Sequence, residues 1–194
     1  MSEEHEKEDK SNWTVDDWTK YVKHGGSDLK GANLKGANLE SINLIGRNLS
    51  GANLEGANLK YARLHNANLY GANLKEANLR KAKIEDANLE YANLEEANLA
   101  RAILRRSSLR GAKLEGANLR GANLGGANLS SANLKGANFS EALLERAYLE
   151  CAKLNGSNID AARELKGVTF PSPSFLRDVK FYDIDDLRKR VAGF

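Results

Sequence analysis

The sequence contains little of what most globular domains use to build a core. Aromatic residues make up only 7% of its 194 residues, and it has one cysteine, one methionine and two prolines. The scarcity of aromatics argues against a core packed from large side chains. The single cysteine, Cys151, excludes an intramolecular disulfide, argues against a cysteine-based metal cluster and is typical of a reducing compartment.

Long hydrophobic runs are also absent. No apolar stretch approaches the roughly 18 residues needed to cross a bilayer, and residues 1–10 are charged rather than apolar. We therefore expect no membrane segment, no secretion signal and a cytoplasmic location. The 29 basic and 26 acidic side chains leave a net charge of +3, so the total charge favours neither nucleic acid nor a membrane surface as a partner.

Motifs that would indicate catalysis or metal binding are missing as well. The three histidines, His5, His24 and His65, are far apart, and no pair has the spacing of metal ligands. The sequence has no Gly-x-Ser-x-Gly nucleophile elbow, no His-Glu-x-x-His zinc motif and no phosphate-binding loop. We predict that the protein is not an enzyme and uses no cofactor and no metal.

The sequence instead has a repeat of five residues that continues through most of the chain. There are 27 consecutive quintets, over residues 27–161, and the central residue is Leu in all but three, which have Ile84, Phe139 and Ile159. Ala stands two residues before the centre in 22 quintets, and Asn stands one residue before it in 18. The two positions after the centre vary, so the pattern indicates two inward and three outward positions.

A period of five fits neither a helix nor a straight strand. The central leucines would scatter around a helix and would alternate between the two faces of a strand. The chain must turn once per quintet, and four quintets then close a square coil with Leu and Ala inside. Coils stacked at about 4.8 Å predict nearly seven coils and a rod of roughly 32 Å. Such a narrow interior explains why Ala is abundant and aromatics are rare.

These quintets resemble those of the pentapeptide-repeat proteins, whose signature is Ala-(Asp/Asn)-Leu-X-X. The resemblance rests on quintets such as Ala-Asn-Leu-Lys-Gly (32–36) and Ala-Asn-Leu-Glu-Gly (52–56), and it covers about 70% of the chain. It implies an all-β solenoid, a right-handed quadrilateral β-helix also called the repeat-five-residues fold. Some family members are quinolone-resistance proteins that imitate DNA and bind gyrase, and others resemble cyanobacterial regulators.

The segments on either side of the repeat are interpreted as small helical caps, because they hold eight of the 13 aromatics and an open solenoid end exposes apolar surface. We predict a disordered acidic tail over residues 1–12, a helical cap over 13–26, the β-helix over 27–161, and a C-terminal cap or dimerisation segment over 162–194. The resemblance implies homodimerisation through the C-terminal end as the alternative to a cap. The cap or dimer residues are Trp13, Trp18, Phe175, Phe181, Tyr182 and Leu187.

Two details support the N-terminal cap. Thr14 and Asp17 have the spacing of a capping box, and Trp13 and Trp18 occupy the hydrophobic-staple positions. We expect a helix from about residue 15 to residue 24. Ile42 and Arg47 stand where the repeat has Ala, and we expect them to meet this cap rather than fill the narrow core.

Residues 20 positions apart should stack in columns along such a rod. One column of turns is basic and contains Lys60, Arg80, Lys81, Arg101 and Arg120. Another, which we place on the opposite edge, contains Glu55, Glu76, Glu95, Glu96 and Glu115. The outward positions next to the basic column include Arg63, Lys83, Ile103 and Leu143, and Arg105 and Arg106 follow at the next turn.

This basic and partly apolar surface is the predicted binding face for another protein, whose identity the sequence does not give. The alternative is a surface that varies freely and forms weak cross-coil charge pairs. The sequence thus predicts a non-enzymatic scaffold that presents a rigid, charge-patterned rod. DNA mimicry toward gyrase is the second hypothesis, but the repeat has 18 basic and 14 acidic residues. We do not expect nucleic-acid binding, because the opposite edge is acidic and few aromatics are exposed.

Overall fold

The fold consists of turns joined by single-residue bridges rather than of long strands. The computed structural model describes residue 10 and residues 12–170. Within them, helical structure is limited to α1 (Val15–Lys23) and a short 3-10 helix (Ile159–Ala161), and neither helix is long and apolar enough to cross a bilayer. Nearly all of the bridges are parallel and join a residue to the one 20 positions later. The predicted coil of four quintets is therefore present.

The bridges form four ladders, which define four faces of the rod. Face 1 runs from Asp28 to Thr169, face 2 from Asn33 to Lys153, face 3 from Asn38 to Asn138 and face 4 from Asn43 to Arg163. Successive faces are five residues apart along the chain, so each coil passes through faces 1 to 4 in order. The outward residue of each quintet lies at the middle of a face, and the two variable residues form the turn to the next face.

Each quintet repeats the same set of backbone hydrogen bonds. Leu54 N–H donates to the Asn73 carbonyl at 2.7 Å, and the Asn53 N–H donates to the carbonyl of Ala32 at 2.9 Å. Ala57 N–H donates to the Leu54 carbonyl at 3.0 Å and closes a β-turn in which Gly56 has a φ of 63°. A positive φ at this position is the mark of a type II turn, and glycine adopts it without steric cost. The recurring glycines are therefore structural.

The interior of the rod is made of Leu and Ala. The central residues from Leu29 to Leu154 are all at most 1% exposed. Phe139 is the one aromatic residue in these central positions, and the ladder is irregular next to it. Its N–H donates to the side-chain oxygen of Asn158 at 2.6 Å, where other quintets use a backbone carbonyl.

Helix α1 begins as the sequence predicts. Thr14 Oγ1 accepts a hydrogen bond from Asp17 N–H at 3.3 Å, and Thr14 N–H donates to Asp17 Oδ2 at 3.0 Å. This is a complete capping box, and the Thr14 hydroxyl lowers the pKa of Asp17. The rings of Trp13 and Trp18 lie 4.9 Å apart, as expected for a hydrophobic staple.

The buried side of α1 joins the interior of the first coils. Trp18 and Val22 are buried in the same apolar cluster as Leu29. Arg47 Nη2 donates to the Gly25 carbonyl at 3.3 Å, and Ile42 packs against the cluster. Arg47 therefore contacts the N-terminal segment as predicted, whereas Ile42 packs against the apolar cluster that runs through the whole rod. Of the predicted disordered tail, residues 1–12, only Lys10 and Asn12 are described, and the Lys10 ammonium lies 3.9 Å from the centre of the Tyr21 ring.

The ladders extend past residue 161, the predicted end of the β-helix. Arg163 bridges to Leu143, and Thr169 bridges to Tyr148 across 21 positions instead of 20. One extra residue has entered the coil, which moves the buried Leu165 and Val168 out of the five-residue register. The boundary at 161 is therefore wrong, because the insertion hides the last inward residues from the repeat pattern. Phe175, Phe181, Tyr182 and Leu187 lie outside the described residues.

Candidate protein-binding surface

The two charged columns border the same face of the rod. The turns between faces 3 and 4 form the basic edge: Lys60, Arg80, Lys81, Arg101 and Arg120. The turns between faces 2 and 3 form the acidic edge: Glu55, Glu76, Glu95, Glu96 and Glu115. These are consecutive turns of each coil, one on either side of face 3. The prediction that they lie on opposite edges is wrong, because consecutive turns of a four-sided coil are neighbours.

Part of the basic edge is neutralised by acidic residues on adjacent coils. Lys60 Nζ lies 3.5 Å from Glu40 Oε1. Arg120 Nη2 lies 2.7 Å from Glu141 Oε1, and this hydrogen bond lowers the pKa of Glu141. Among the described residues, no ion pair is formed by the three in the middle coils: Arg80, Lys81 and Arg101.

The acidic edge shows the same division between its ends and its middle. Lys35 and Lys135 form ion pairs with Glu55 and Glu115 at 2.9 and 3.4 Å. The hydrogen bond from Lys35 lowers the pKa of Glu55. Glu76 lies 3.9 Å from Lys75 Nζ, whereas Glu95 and Glu96 have no ion-pair partner in the part of the chain that the structure describes. Uncompensated charge of both signs is thus concentrated at the middle coils.

Faces 3 and 4 differ sharply in their outward residues. Face 3 has only Asn, at positions 38, 58, 78, 98, 118, 138 and 158. Face 4 has the exposed Arg63 and Lys83, followed by the half-buried Ile103 and Leu143 on either side of Asn123. The predicted binding residues of face 4 therefore lie in one column, with cations toward the N-terminal end and aliphatic side chains toward the other end.

A notch interrupts the edge between faces 4 and 1. Gly125 and Gly126 form the only turn in the described rod with glycine at both positions. The missing side chains leave a cavity of about 470 Å³ between the turns above and below. Its lining includes Arg105, Arg106, Asn123, Leu143, Glu145, Arg146, Tyr148 and Glu164. The notch thus continues the aliphatic part of face 4 into a pocket with arginines on two sides.

The two arginines at the start of the notch have different roles. Arg106 donates two hydrogen bonds to Asp86, Nε to Oδ1 at 2.8 Å and Nη2 to Oδ2 at 2.7 Å. Arg105 forms no ion pair with any described residue. Of the two predicted binding residues, Arg105 is available to a partner, whereas Arg106 supports the surface by tying two coils together.

The Arg106 pair predicts a specific acid sensitivity. Its hydrogen bonds lower the pKa of Asp86 and raise that of Arg106. A carboxyl whose pKa is lower in the folded state contributes stability above its unfolded pKa and loses it as the pH falls through the folded value. We expect Asp86→Asn to be less stable than the parent at neutral pH, with the difference shrinking below about pH 4 in acid titrations of the melting temperature. Arg106→Gln should remove the same contribution to stability. A difference in melting temperature between parent and variant that persists in acid would contradict the assignment of this contribution to the Asp86–Arg106 pair.

The repeat itself can be compared with known families. The family model of the pentapeptide repeats matches in eight copies, over residues 22–46, 48–86, 82–121 and 122–160. The chain belongs to the pentapeptide-repeat family. Comparison with curated protein sequences gave no significant match.

Solved structures of this family are similar to the chain. HetL, a pentapeptide-repeat protein involved in regulation of heterocyst differentiation in the cyanobacterium Nostoc sp. strain PCC 7120, is 33% identical over 76% of this chain and 78% of its own, with a TM-score of 0.38. QnrB1, a plasmid-mediated fluoroquinolone resistance protein, is 18% identical over 78% of this chain and 91% of its own, with a TM-score of 0.48. A pentapeptide-repeat protein from the Arabidopsis thaliana thylakoid lumen is 33% identical over 46% of this chain and 69% of its own, with a TM-score of 0.29.

The surface of this pentapeptide-repeat protein also includes tyrosines that sequence reasoning undervalued. Tyr61, Tyr70, Tyr91 and Tyr148 are all 40 to 50% exposed, so the expectation of few exposed aromatics is wrong. The rings of Tyr70 and Tyr91 lie 5.6 Å apart. The Tyr91 ring also lies 2.7 Å from where a Cβ on Gly111 would be, so that glycine makes room for the ring. The repeat pattern places Tyr61, Tyr70 and Tyr91 at turns and Tyr148 at an outward position of face 1, and these positions were the available signal.

Proposed function

We propose that this pentapeptide-repeat protein is a non-enzymatic binding protein or scaffold. Its rod of about seven coils, closed at the N-terminal end by α1, presents face 4 and the notch beside it to a partner protein. The partner contributes an acidic surface with aliphatic or aromatic residues at its centre. The basic edge flanks this surface and attracts the same acidic partner during approach.

The observation that carries this proposal is the combination of unpaired cations and aliphatic side chains in one column. Arg63 and Lys83 in this column, and Arg105 at the turn beside it, lack ion-pair partners among the described residues. Ile103 and Leu143 occupy the outward position that is Asn in most other quintets. Arginine and apolar side chains are enriched in protein interfaces, whereas a purely solvated surface favours polar residues. The notch adds a concave site where a partner side chain inserts beside Arg105.

Charge reversal on face 4 tests the proposal. We expect Arg63→Glu combined with Arg105→Glu to abolish recovery of the partner from an extract of the source cell, measured by quantitative mass spectrometry against the unmodified chain. Both side chains are exposed and unpaired in the described rod, so the melting temperature should change little. Arg106 is left intact because its pair with Asp86 is structural.

The control is a reversal of the same kind on another edge. Arg110 is exposed at the turn between faces 1 and 2, away from face 4, and Arg110→Glu should retain the partner. Equal loss in both variants would indicate nonspecific attraction to positive charge. Retention in both variants would overturn the assignment of face 4.

DNA mimicry toward gyrase predicts a different surface and a different result. A mimic needs a continuous negative surface, but Lys35, Lys75 and Lys135 interrupt the acidic edge, and residues 27–161 have an excess of four positive charges. We expect the protein neither to inhibit supercoiling by gyrase nor to protect the enzyme from a quinolone. A dose-dependent effect in a supercoiling assay would replace the scaffold proposal with mimicry.

A further inference from the structure

The acidic and basic edges have opposite charges at most levels of the rod. Turns on the same coil face each other across face 3, and in five coils the residues on the two sides have opposite signs. These sets are Lys35 and Glu40, Glu55 and Lys60, Glu95 with Glu96 and Arg101, Glu115 and Arg120, and Lys135 and Glu141. Of the other two levels, one is mixed, with Lys75 and Glu76 across from Arg80 and Lys81, and the last has the neutral Asn155 across from Asp160. The sign reverses on both edges together at each end of the rod.

Ion pairs within the chain do not require the two edges to have opposite charges at the same level. Pairs such as Lys35 with Glu55 and Lys60 with Glu40 run along each edge, between adjacent coils. They require the sign to alternate along an edge, but they would form equally well if both edges had the same sign at each level. The middle coils have no such pair at Glu95, Glu96 or Arg101, yet their signs are opposite as well.

The other three faces do not share the property. Face 2 is bordered by Lys30 and Lys35 on the same coil, and face 4 by Arg101 and Arg105. Face 1 has Glu85 and Glu90 on its two borders. Each of these faces therefore has like charges on its two sides at one level or more. Face 3 alone has complementary borders over most of its length.

Face 3 is also flat enough for close approach. Its Asn side chains are held against the surface: Asn58 Oδ1 accepts from Lys60 N–H at 3.3 Å, and Asn58 Nδ2 donates to Asn38 Oδ1 at 3.1 Å. The pair Asn158 and Asn138 is joined in the same way at 3.0 Å. Among the described residues, the large exposed side chains of Ile45, Tyr70, Tyr91 and Tyr148 lie away from this face, and Tyr61 lies at the turn on its basic border.

We propose that face 3 docks onto face 3 of a second copy of this chain, with the two rods side by side, parallel and in register. A two-fold axis parallel to the rods places the acidic edge of each copy against the basic edge of the other at the same level. A two-fold axis perpendicular to the rods places acidic against acidic and basic against basic. Charge complementarity therefore selects the parallel dimer, since like charges across an interface are strongly unfavourable.

The signs at the ends fix the register. A shift by one coil in one direction brings Lys35 toward Lys60 of the second copy and Glu115 toward Glu141. A shift in the other direction brings Glu55 toward Glu40 and Lys135 toward Arg120. Exposed ion pairs are individually weak, so the dimer is reversible and salt-sensitive. It leaves face 4 and the notch open to the partner proposed above, but it covers the basic edge that flanks them.

A charge-swap experiment on the full chain tests the pairing. In sedimentation velocity at low salt, we expect Glu96→Arg and Arg101→Glu each to reduce the association constant about tenfold or more, because each places like charges together twice in the dimer. An equimolar mixture of the two variants should restore association, since both contacts become complementary again. The double variant should also restore it. Arg110→Glu, on the edge between faces 1 and 2, should associate as the parent does.

Cross-linking tests the orientation. Asn58 is at the middle of face 3 in an early coil, so Asn58→Cys in a Cys151→Ser background should form a disulfide-linked dimer under mild oxidation. An antiparallel dimer would instead link Asn58→Cys to Asn138→Cys in a mixture of the two variants, and that result would overturn the proposal. A chain that stays monomeric at every concentration would also overturn it. So would a dimer insensitive to both charge variants, which would indicate a contact elsewhere such as the C-terminal segment.

Discussion

Replacing Leu99 with alanine should lower the free energy of unfolding by about 2–5 kcal/mol. Leu99 is fully buried, and the repeat stacks it between Leu79 and Leu119 of the adjacent coils, which are equally buried. The interior is one coil wide, and its walls are tied by backbone bonds such as that of Leu99 N–H to the Asn118 carbonyl at 2.8 Å. The walls cannot collapse into the space left by the missing atoms, so the cavity cost adds to the lost burial.

The chain offers a matched control for this change. Leu143 has the same side chain but stands in the outward position on face 4, where it is only half-buried. Leu143→Ala should cost less than about 1 kcal/mol, while it should weaken capture of the partner. Urea unfolding followed by circular dichroism measures both variants against the parent. Equal losses for Leu99→Ala and Leu143→Ala would contradict the division between inward and outward positions.

The architecture could be predicted because the repeat has an unambiguous period of five residues. A step of five leaves only one way to keep Leu and Ala inside, and the parallel bridges of Asn53 to Asn33 and Asn73 follow from it directly. The N-terminal helix was equally accessible, because its capping box and staple are local patterns. Arg47 was identifiable as an exception, and its bond to the Gly25 carbonyl shows why the core position tolerates it.

The errors arose where position around the coil or a break in register mattered. The acidic and basic columns are one turn apart, as the numbers of Glu55 and Lys60 show, and a square coil makes adjacent turns neighbours. The end of the β-helix was misplaced because one extra residue before Thr169 shifts Leu165 and Val168 out of the pattern. Periodicity detects inward residues only while the spacing holds.

The position of the candidate surface could be predicted from the sequence, but not which of its side chains are free to bind a partner. Column arithmetic placed the basic residues on neighbouring turns, yet it did not separate Arg105 from Arg106, which Asp86 holds with two hydrogen bonds. The separation of 20 between Asp86 and Arg106 was the signal that could have found this pair. Gly125 and Gly126 likewise indicate the notch, since a turn without side chains must leave a gap. That Glu164 lines the notch could be found only from the structure, because this residue lies in the irregular last coil.

Introducing proline at position 98 should be the most damaging change on the surface of the rod. Asn98 N–H donates to the Ala77 carbonyl at 2.9 Å and so links two middle coils. Proline removes this donor and leaves a ladder carbonyl without its partner, which we expect to cost about 3 kcal/mol or more. In a solenoid, stability comes from contacts between neighbouring repeats, so we also expect the thermal transition to broaden as the two halves uncouple.

Asn38→Pro, at the start of face 3, is the control that distinguishes loss of the inter-coil hydrogen bond from the other effects of proline. Asn38 has the same side-chain role, since its Oδ1 accepts from Glu40 N–H at 3.3 Å as Asn98 Oδ1 accepts from Ala100 N–H at 3.1 Å. Its own N–H, however, has no backbone acceptor among the described residues, because no earlier coil lies beneath it on face 3. Asn38→Pro should therefore cost less than about 1 kcal/mol. If calorimetry shows equal losses at both positions, the damage comes from proline's restriction of the local backbone, and the inter-coil hydrogen bonds are not what holds the rod together.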